Sequence, residues 1–346
     1  MTSRPDLRHG ERGVQGVQGV HRVNGVHGVH GVHGGHGGHG GHGGHGVPGE
    51  PPSGPPVTQL GAARITRVED FLGLGFPPAA MFPAITPEHL SAEMAWLAPG
   101  YYDPVANQLR TSIHSWLVRT DRHTILVDSC IGNHKTRPSI DRFHQRNEPW
   151  LDRLNAAGAA PEDIDFVMCT HLHADHVGWN TRLDASGRWV PTFPNARYLF
   201  SRKELARWDP RIHGHVPRPI NDNVFDDSIL PVLEAGLVQE VDDGFDLDNL
   251  MRVEAAYGHT PGHVTIRLKS GAEEGVFSGD VIHHPIQVPH PTLCSVFDED
   301  PALALQVRLA VLQDCAERDA WLFPAHFPEP HCCKIGEHGG RFSLRW

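Results

Sequence analysis

Six consecutive residues, His171-Leu172-His173-Ala174-Asp175-His176, carry four side chains able to ligate a metal ion. They follow Asp165-Phe166-Val167-Met168-Cys169-Thr170, an apolar run that reads as a buried strand. Side-chain direction in extended chain has period two, so His171 and His173 point to the same side. Asp175 and His176 come where the chain turns and can face a second ion beside the first. One ion seldom draws four ligands from so short a segment, whereas two ions sharing a bridge would use them all. Histidines that merely satisfy loop hydrogen bonds have no reason to recur in this pattern.

The elements that must hold this cluster can be read around it. Arg64-Ile65-Thr66-Arg67-Val68 is a first short strand. Ile113 to Val118 and Thr124 to Val127 are separated by polar residues 119–123, which predicts a hairpin. Pro149 at a first helical position starts a helix carrying Trp150, Leu151 and Leu154, and Gly158 ends it. Val253 to Ala256, Val264 to Leu268 and Gly275 to Phe277 are further strands. Asp300-Pro301 opens a helix with Leu305, Leu309 and Leu312 on one face, and Trp321-Leu322-Phe323 follows as a last strand. Hairpins mixed with β–loop–helix units predict stacked sheets covered by helices, not a purely parallel doubly wound sheet.

Composition divides the chain at residue 56. Nine of the 27 histidines and 18 of the 37 glycines precede that point, and from Gly25 to Gly46 the chain runs as Gly-Val-His and then Gly-Gly-His repeats. Such a tract cannot bury enough apolar surface to offset its chain entropy, so residues 1–56 are expected to be a disordered tail ending in a stiff Pro-rich linker. Its histidines are either weak ligands for Zn²⁺ or Ni²⁺ or a spacer left by repeat expansion. Residues 57–346 then form the folded domain. The tail carries +1 and the domain −12, which suits neither DNA nor RNA as a partner. No apolar run approaches the roughly 18 residues of a membrane span, and no signal core follows Met1. A cytoplasmic protein with six reduced cysteines, acting on a small molecule, is the expectation; Cys169 is expected to be a small buried hydrophobe. Homodimerisation is left open.

The cluster resembles the HxHxDH signature of the metallo-β-lactamase-fold hydrolases. The family's other elements have counterparts in order: Gly258-His259-Thr260-Pro261-Gly262-His263, Ser278-Gly279-Asp280, Pro324-Ala325-His326 and the strand Ile125-Leu126-Val127-Asp128. The resemblance covers roughly residues 60–346. It implies an αββα sandwich with two divalent metals, zinc foremost, at one edge. His171, His173 and His259 would hold the first ion, and Asp175, His176 and His326 the second, with Asp280 between them.

The oxygen-reducing diiron relatives typically have Glu where this chain has His173, so the resemblance favours Lewis-acid chemistry over redox iron; Mn²⁺, Co²⁺ and Fe²⁺ stay open. It implies hydrolysis by a hydroxide bridging the two ions, with Asp280 and Asp175 as the catalytic carboxylates. Asp175 would orient the nucleophile or protonate the leaving group. Asp128 and His263 would fix ligand imidazoles by hydrogen bonds, though His263 could equally just pack. His283 and His284 would line the pocket, or one of them would be solvent-exposed. Trp179 would wall the site or join the core.

Within the family, Thr170 to Asn180, Val190 to Ala196 and Gly279 to Pro285 are most similar to the branch of N-acyl-homoserine lactonases and methyl-parathion-hydrolase-like phosphotriesterases. No Lys/Arg motif marks a pocket for a multiply charged substrate. A lactone, carboxylic ester or phosphotriester is therefore the expected substrate. Two alternatives stay open. One is a metal-buffering protein working through the His tract; the other is a thiol or persulfide enzyme using a single iron on the same fold.

Overall fold

The computed structural model describes residues 57–346. The expectations for the tail lie outside the described residues. In chain order the strands are β1 (Val57–Leu60), β2 (Ala63–Leu74), β3 (Tyr102–Asp103), β4 (Gln108–Arg119), β5 (Thr124–Val127), β6 (Phe166–Met168), β7 (Thr181–Leu183), β8 (Trp189–Pro191) and β9 (Arg197–Ser201). Then come β10 (Val238–Val241), β11 (Asp246–Leu247), β12 (Met251–Ala255), β13 (Val264–Ser270), β14 (Glu273–Gly279), β15 (Trp321–Pro324), β16 (Cys333–His338) and β17 (Arg341–Arg345).

Two large sheets result. One runs β1-β2-β4-β5-β6-β9-β10, with β3 on β4, and the other runs β11 to β17 in sequence order. The expected β4–β5 hairpin forms, with Trp116 opposite Val127. Period-two alternation explains how the sheets stack. Ile125 and Val127 face inward with Trp116, Val118 and Met168, against Val253, Ile266, Phe277 and Phe323 of the second sheet. Leu126, between them, faces outward with Leu117 and Val167 and packs under Trp150 and Leu154 of the helix Trp150–Ala156. The second sheet's outer face, with Val276, Leu322 and Ile335, is covered by the helix Pro301–Arg318 through Leu312 and Cys315. This is the αββα sandwich. All six cysteines are free. No helix among the described residues is long and apolar enough to cross a membrane.

Three expectations need correction. The face of helix 301–318 that is buried carries Ala304, Arg308, Leu312 and Cys315, while Leu309 is 38% exposed. Arg308 can be buried because it donates to the carbonyls of Val281 (2.8 Å) and Pro291 (2.8 Å) and reaches Asp298. Trp321–Pro324 is not the last strand, since β16 and β17 follow as an antiparallel hairpin. Gly339 and Gly340 join them, both at positive φ, which the two central positions of a type I′ turn require. Pro149 is the residue before the helix, not its first helical position.

The topology delivers the site. β5, β6 and β9 are parallel in one sheet, and β14 and β15 are parallel in the other, joined by helix 301–318. Asp128, the 169–176 segment, Asp280 and His326 all follow C-terminal strand ends. The Val264 N–H donates to the Thr170 carbonyl (2.9 Å) and the Ser112 N–H to the His326 carbonyl (3.0 Å), tying the sheets together at that edge.

Candidate metal centre

Asp280 turns off β14 after Gly279, where the strand register shifts. Gly279 has φ +48°, and a Cβ there would sit 2.6 Å from Thr170 Oγ1 and 2.7 Å from His263 Nε2. Only glycine lets the strand end close enough to place the next carboxylate among the histidines. The Asp280 N–H donates to His263 Nε2 (3.0 Å), so His263 fixes the backbone at Asp280.

Two clusters of side chains meet at that carboxylate. In the first, His173 Nδ1 lies 3.0 Å from His171 Nε2 and 3.1 Å from His259 Nε2, and Asp280 Oδ2 is 3.4 Å from His259 Nε2. In the second, Asp280 Oδ1 is 3.1 Å from His176 Nε2 and 2.9 Å from His326 Nε2. Asp175 reaches these two nitrogens at 3.9 and 3.8 Å. The sequence-predicted ligands are therefore all brought together.

The outer nitrogens of these rings are held. His259 Nδ1 pairs with Asp298 Oδ1 (3.0 Å), His176 Nδ1 with Asp128 Oδ2 (2.9 Å), and His326 Nδ1 with the Ser112 carbonyl (3.1 Å). His171 Nδ1 is 3.2 Å from Thr170 Oγ1, which donates to Asp128. With their outer N–H groups engaged, these rings turn Nε2 inward.

The donor set fits divalent ions. Nitrogens 3.0–3.1 Å apart are close to the roughly 3.3 Å edge of a tetrahedron centred about 2.0–2.1 Å from each. His176 Nε2 and Asp280 Oδ1 are buried 3.1 Å apart without hydrogen-bond geometry between them, and coordination would satisfy both. Burial, reinforced by neighbouring imidazoles, holds His171 and His173 well below the ordinary histidine pKa, which keeps them neutral. Burial opposes charge on His176 and His326 as well, but Asp280 and its fellow carboxylates raise both, His176 well above the ordinary value. Burial likewise opposes ionisation of Asp280, yet His326, His176, His283 and His259 together hold its carboxyl well below the usual range.

Other expectations sort cleanly. Asp128 meets its expectation by holding the His176 ring, whereas His263 hydrogen-bonds to no candidate ligand imidazole among the described residues: its Nε2 accepts from the Asp280 N–H and its Nδ1 is buried without a partner. His283 and His284 are both buried and both line the cleft over the clusters, so neither is solvent-exposed. His283 Nε2 is 3.2 Å from Asp280 Oδ2. Trp179 is a core residue stacked on Trp150 at 5.1 Å, within the layer under the first sheet, and does not wall the site. Cys169 is buried in that same layer.

Two carboxylates beside the clusters escaped the sequence reading. Asp298 anchors His259 and also accepts from the Ser295 N–H (2.9 Å). Glu204 is fully buried and accepts from the Leu172 N–H (3.0 Å), Trp208 Nε1 (2.9 Å), the Gly262 N–H (2.9 Å) and the Thr260 hydroxyl. It thereby clamps the His171–His176 loop to the His259–His263 loop. Glu204→Gln would leave buried donors facing an amide NH₂. The expected cost is about 2–5 kcal/mol in stability, with zinc affinity falling roughly 10–100-fold. Denaturant unfolding and a chelator-competition titration measure both; wild-type values in both would show the clamp to be dispensable.

Comparisons with known proteins bear on the fold and the family. Solved structures similar to this one include hydrolase AbOPH of the beta lactamase superfamily, at 26% identity and a TM-score of 0.70, covering 86% of this chain and 98% of that one. AidC, a dizinc quorum-quenching lactonase in complex with the product N-hexanoyl-L-homoserine, matches at 23% identity and a TM-score of 0.68, covering 84% and 96%. A probable metal-dependent hydrolase from Staphylococcus aureus matches at 19% and 0.67, covering 83% and 98%. The last two likenesses show the fold. No curated protein sequence matches the chain. A family model described as Metallo-beta-lactamase superfamily spans residues 110–326, from β4 to the final histidine of the second cluster. With well over half of its 346 residues inside that match, the chain belongs to the metallo-β-lactamase superfamily.

Proposed function

We propose that the chain is a hydrolase with a dinuclear metal centre, acting on a lactone, carboxylic ester or phosphotriester. The reading is carried by Asp280, whose two carboxylate oxygens face different clusters, Oδ2 towards His259 and Oδ1 towards His176 and His326. His171, His173 and His259 would hold one ion and Asp175, His176 and His326 the other, with Asp280 touching both. When bound, divalent cations here lower the pKa of a water towards neutrality and polarise a carbonyl or phosphoryl oxygen. The neutral imidazole of His173, in place of a carboxylate, suits zinc.

The chain's own residues do the rest. Asp128, Thr170, Asp298 and Ser112 fix the ring orientations. Asp175 is only partly buried and lines the cleft. It takes the proton released by the attacking water and returns it to the alkoxide oxygen when the ester bond breaks. The cleft opens to solvent, and Met81, Leu109, Ile113 and Phe297 give it an apolar flank for a hydrocarbon portion of the substrate. The likeness to a lactonase holding its ring-opened product supports a lactone among the candidate classes. The assembled second cluster speaks against a single-iron site, which would leave Asp175 and His176 without a task.

The test is ring opening of N-hexanoyl-homoserine lactone by the zinc-loaded full chain, followed by acid release at constant pH. Asp175→Asn should lower kcat on the order of 10²–10⁴-fold. A protein holding two ions that opens no lactone and cleaves neither an aryl ester nor a phosphotriester would refute the hydrolase reading.

A further inference from the structure

The cleft over the clusters contains a cation that has no carboxylate paired with it among the described residues. Arg142 lies in the short 3₁₀ turn Asp141–Phe143, between β5 and helix 150–156. Its guanidinium lies over the Phe76 ring, 4.1 Å from the centroid, and 5.4 Å from that of Phe143. Among the described residues, no carboxylate lies within 4.0 Å of it, and its Nε is buried without a hydrogen-bond partner. The other arginine lining the cleft, Arg110, is paired with Asp103 at 3.5 Å. Asp175 and Asp280 share the cleft with Arg142. A guanidinium over an aromatic face gains cation–π attraction without using its N–H donors, which stay able to read a planar anionic oxygen pair. Leaving such a charge half-buried and unpaired is costly unless a ligand completes it.

We propose that Arg142 is the specificity residue of this cleft and recognises a carboxylate on the substrate, so that the preferred substrate is an ester or lactone bearing one carboxylate besides the scissile bond and an apolar chain. This rests on the hydrolase reading above and deepens it. Burial disfavours the charge on Arg142 and Asp175 partly restores it, consistent with a group that gains from an incoming anion. Arg142 Cζ sits over the Phe76 ring, and Arg142→Lys would supply charge there without the two-pronged geometry of a guanidinium.

The test compares mono(4-nitrophenyl) glutarate, a monoanion, with its neutral methyl ester, on the zinc-loaded full chain. Wild type should prefer the anion. Arg142→Gln should lower kcat/KM for the anion on the order of 50-fold, mostly through KM, and for the neutral ester by several-fold less; Arg142→Lys should restore part of the preference. Equal loss on both esters would assign Arg142 a structural role or an action through Asp175, and would overturn the proposal. So would an undiminished preference in Arg142→Gln. Calorimetric binding of monomethyl glutarate, measured beside dimethyl glutarate, needs no turnover. If neither nitrophenyl ester is cleaved, the hydrolase reading is in question, and weaker binding of the anion alone to Arg142→Gln still supports the proposal. Unchanged anion binding there overturns it.

Discussion

Asp280→Ala is expected to remove turnover almost completely while leaving the fold intact. The side chain lies at the end of β14 and makes its contacts with His259, His283, His176 and His326, not with the sheet. Its removal leaves four buried imidazoles without their shared carboxylate and deprives both clusters of a ligand. The loss should exceed the roughly 10–100-fold that outer partners of metal sites contribute. Far-ultraviolet circular dichroism should match wild type, because the strand is held by its pairing with β13 and β15 and by Gly279. Wild-type rates in this variant would rule out a centre shared through Asp280. Asp280→Asn separates charge from shape, since it retains an oxygen but cannot compensate His176 and His326.

The second large effect is on acid sensitivity, where the two clusters should part company. His171 and His173 are held neutral in the metal-free protein, so an ion entering the first cluster has no proton to displace from them. His176 and His326 have raised pKa values, so entry at the second cluster releases protons. Affinity there should fall by up to about tenfold per pH unit for each proton displaced, once the pH is below those raised values. Between pH 7.5 and 5.5 the second ion should therefore be lost while the first is retained. Competition against a chromophoric chelator at three pH values resolves two affinities that should diverge as pH falls; parallel decline would contradict the assignment. The metal-free fold carries opposing linkages. Protonated His176 and His326 contribute stability that is present below the ordinary histidine pKa of about 6.5 and is lost as pH rises through their folded values. Neutral His171 and His173 contribute stability that is lost as pH falls below that same ordinary value towards their depressed ones.

The four candidate ligands of the 171–176 segment were legible because metal chemistry imposes residue type and local spacing together. His171, His173, Asp175 and His176 lie in one six-residue segment, whereas His259, Asp280 and His326 were read only from the resemblance to the metallo-β-lactamase-fold hydrolases, whose elements recur here in order. Asp128 was read from the same resemblance, as the acidic residue ending a short apolar strand. The residues that orient these ligands were not. Glu204 lies in the first turn of the short helix Arg202–Trp208 and Asp298 in an irregular loop, so each acquires its task only when distant segments meet. Arg142 was missed because a single arginine in a turn has no pattern; its meaning comes from Phe76, 66 positions earlier in the chain. Helix 301–318 misled differently, since periodicity favours Leu309 for the core and cannot foresee that Arg308 finds carbonyl partners there. The β16–β17 hairpin did have a signal in Gly339-Gly340 between strand-like runs.

Anomalous diffraction at the zinc edge, from crystals grown with zinc, tests the central claim most directly. A dinuclear centre gives two peaks in the fold, one among His171, His173 and His259 and one among Asp175, His176 and His326, each within bonding distance of an Asp280 oxygen. A single peak, or two with Asp280 touching neither, would contradict it.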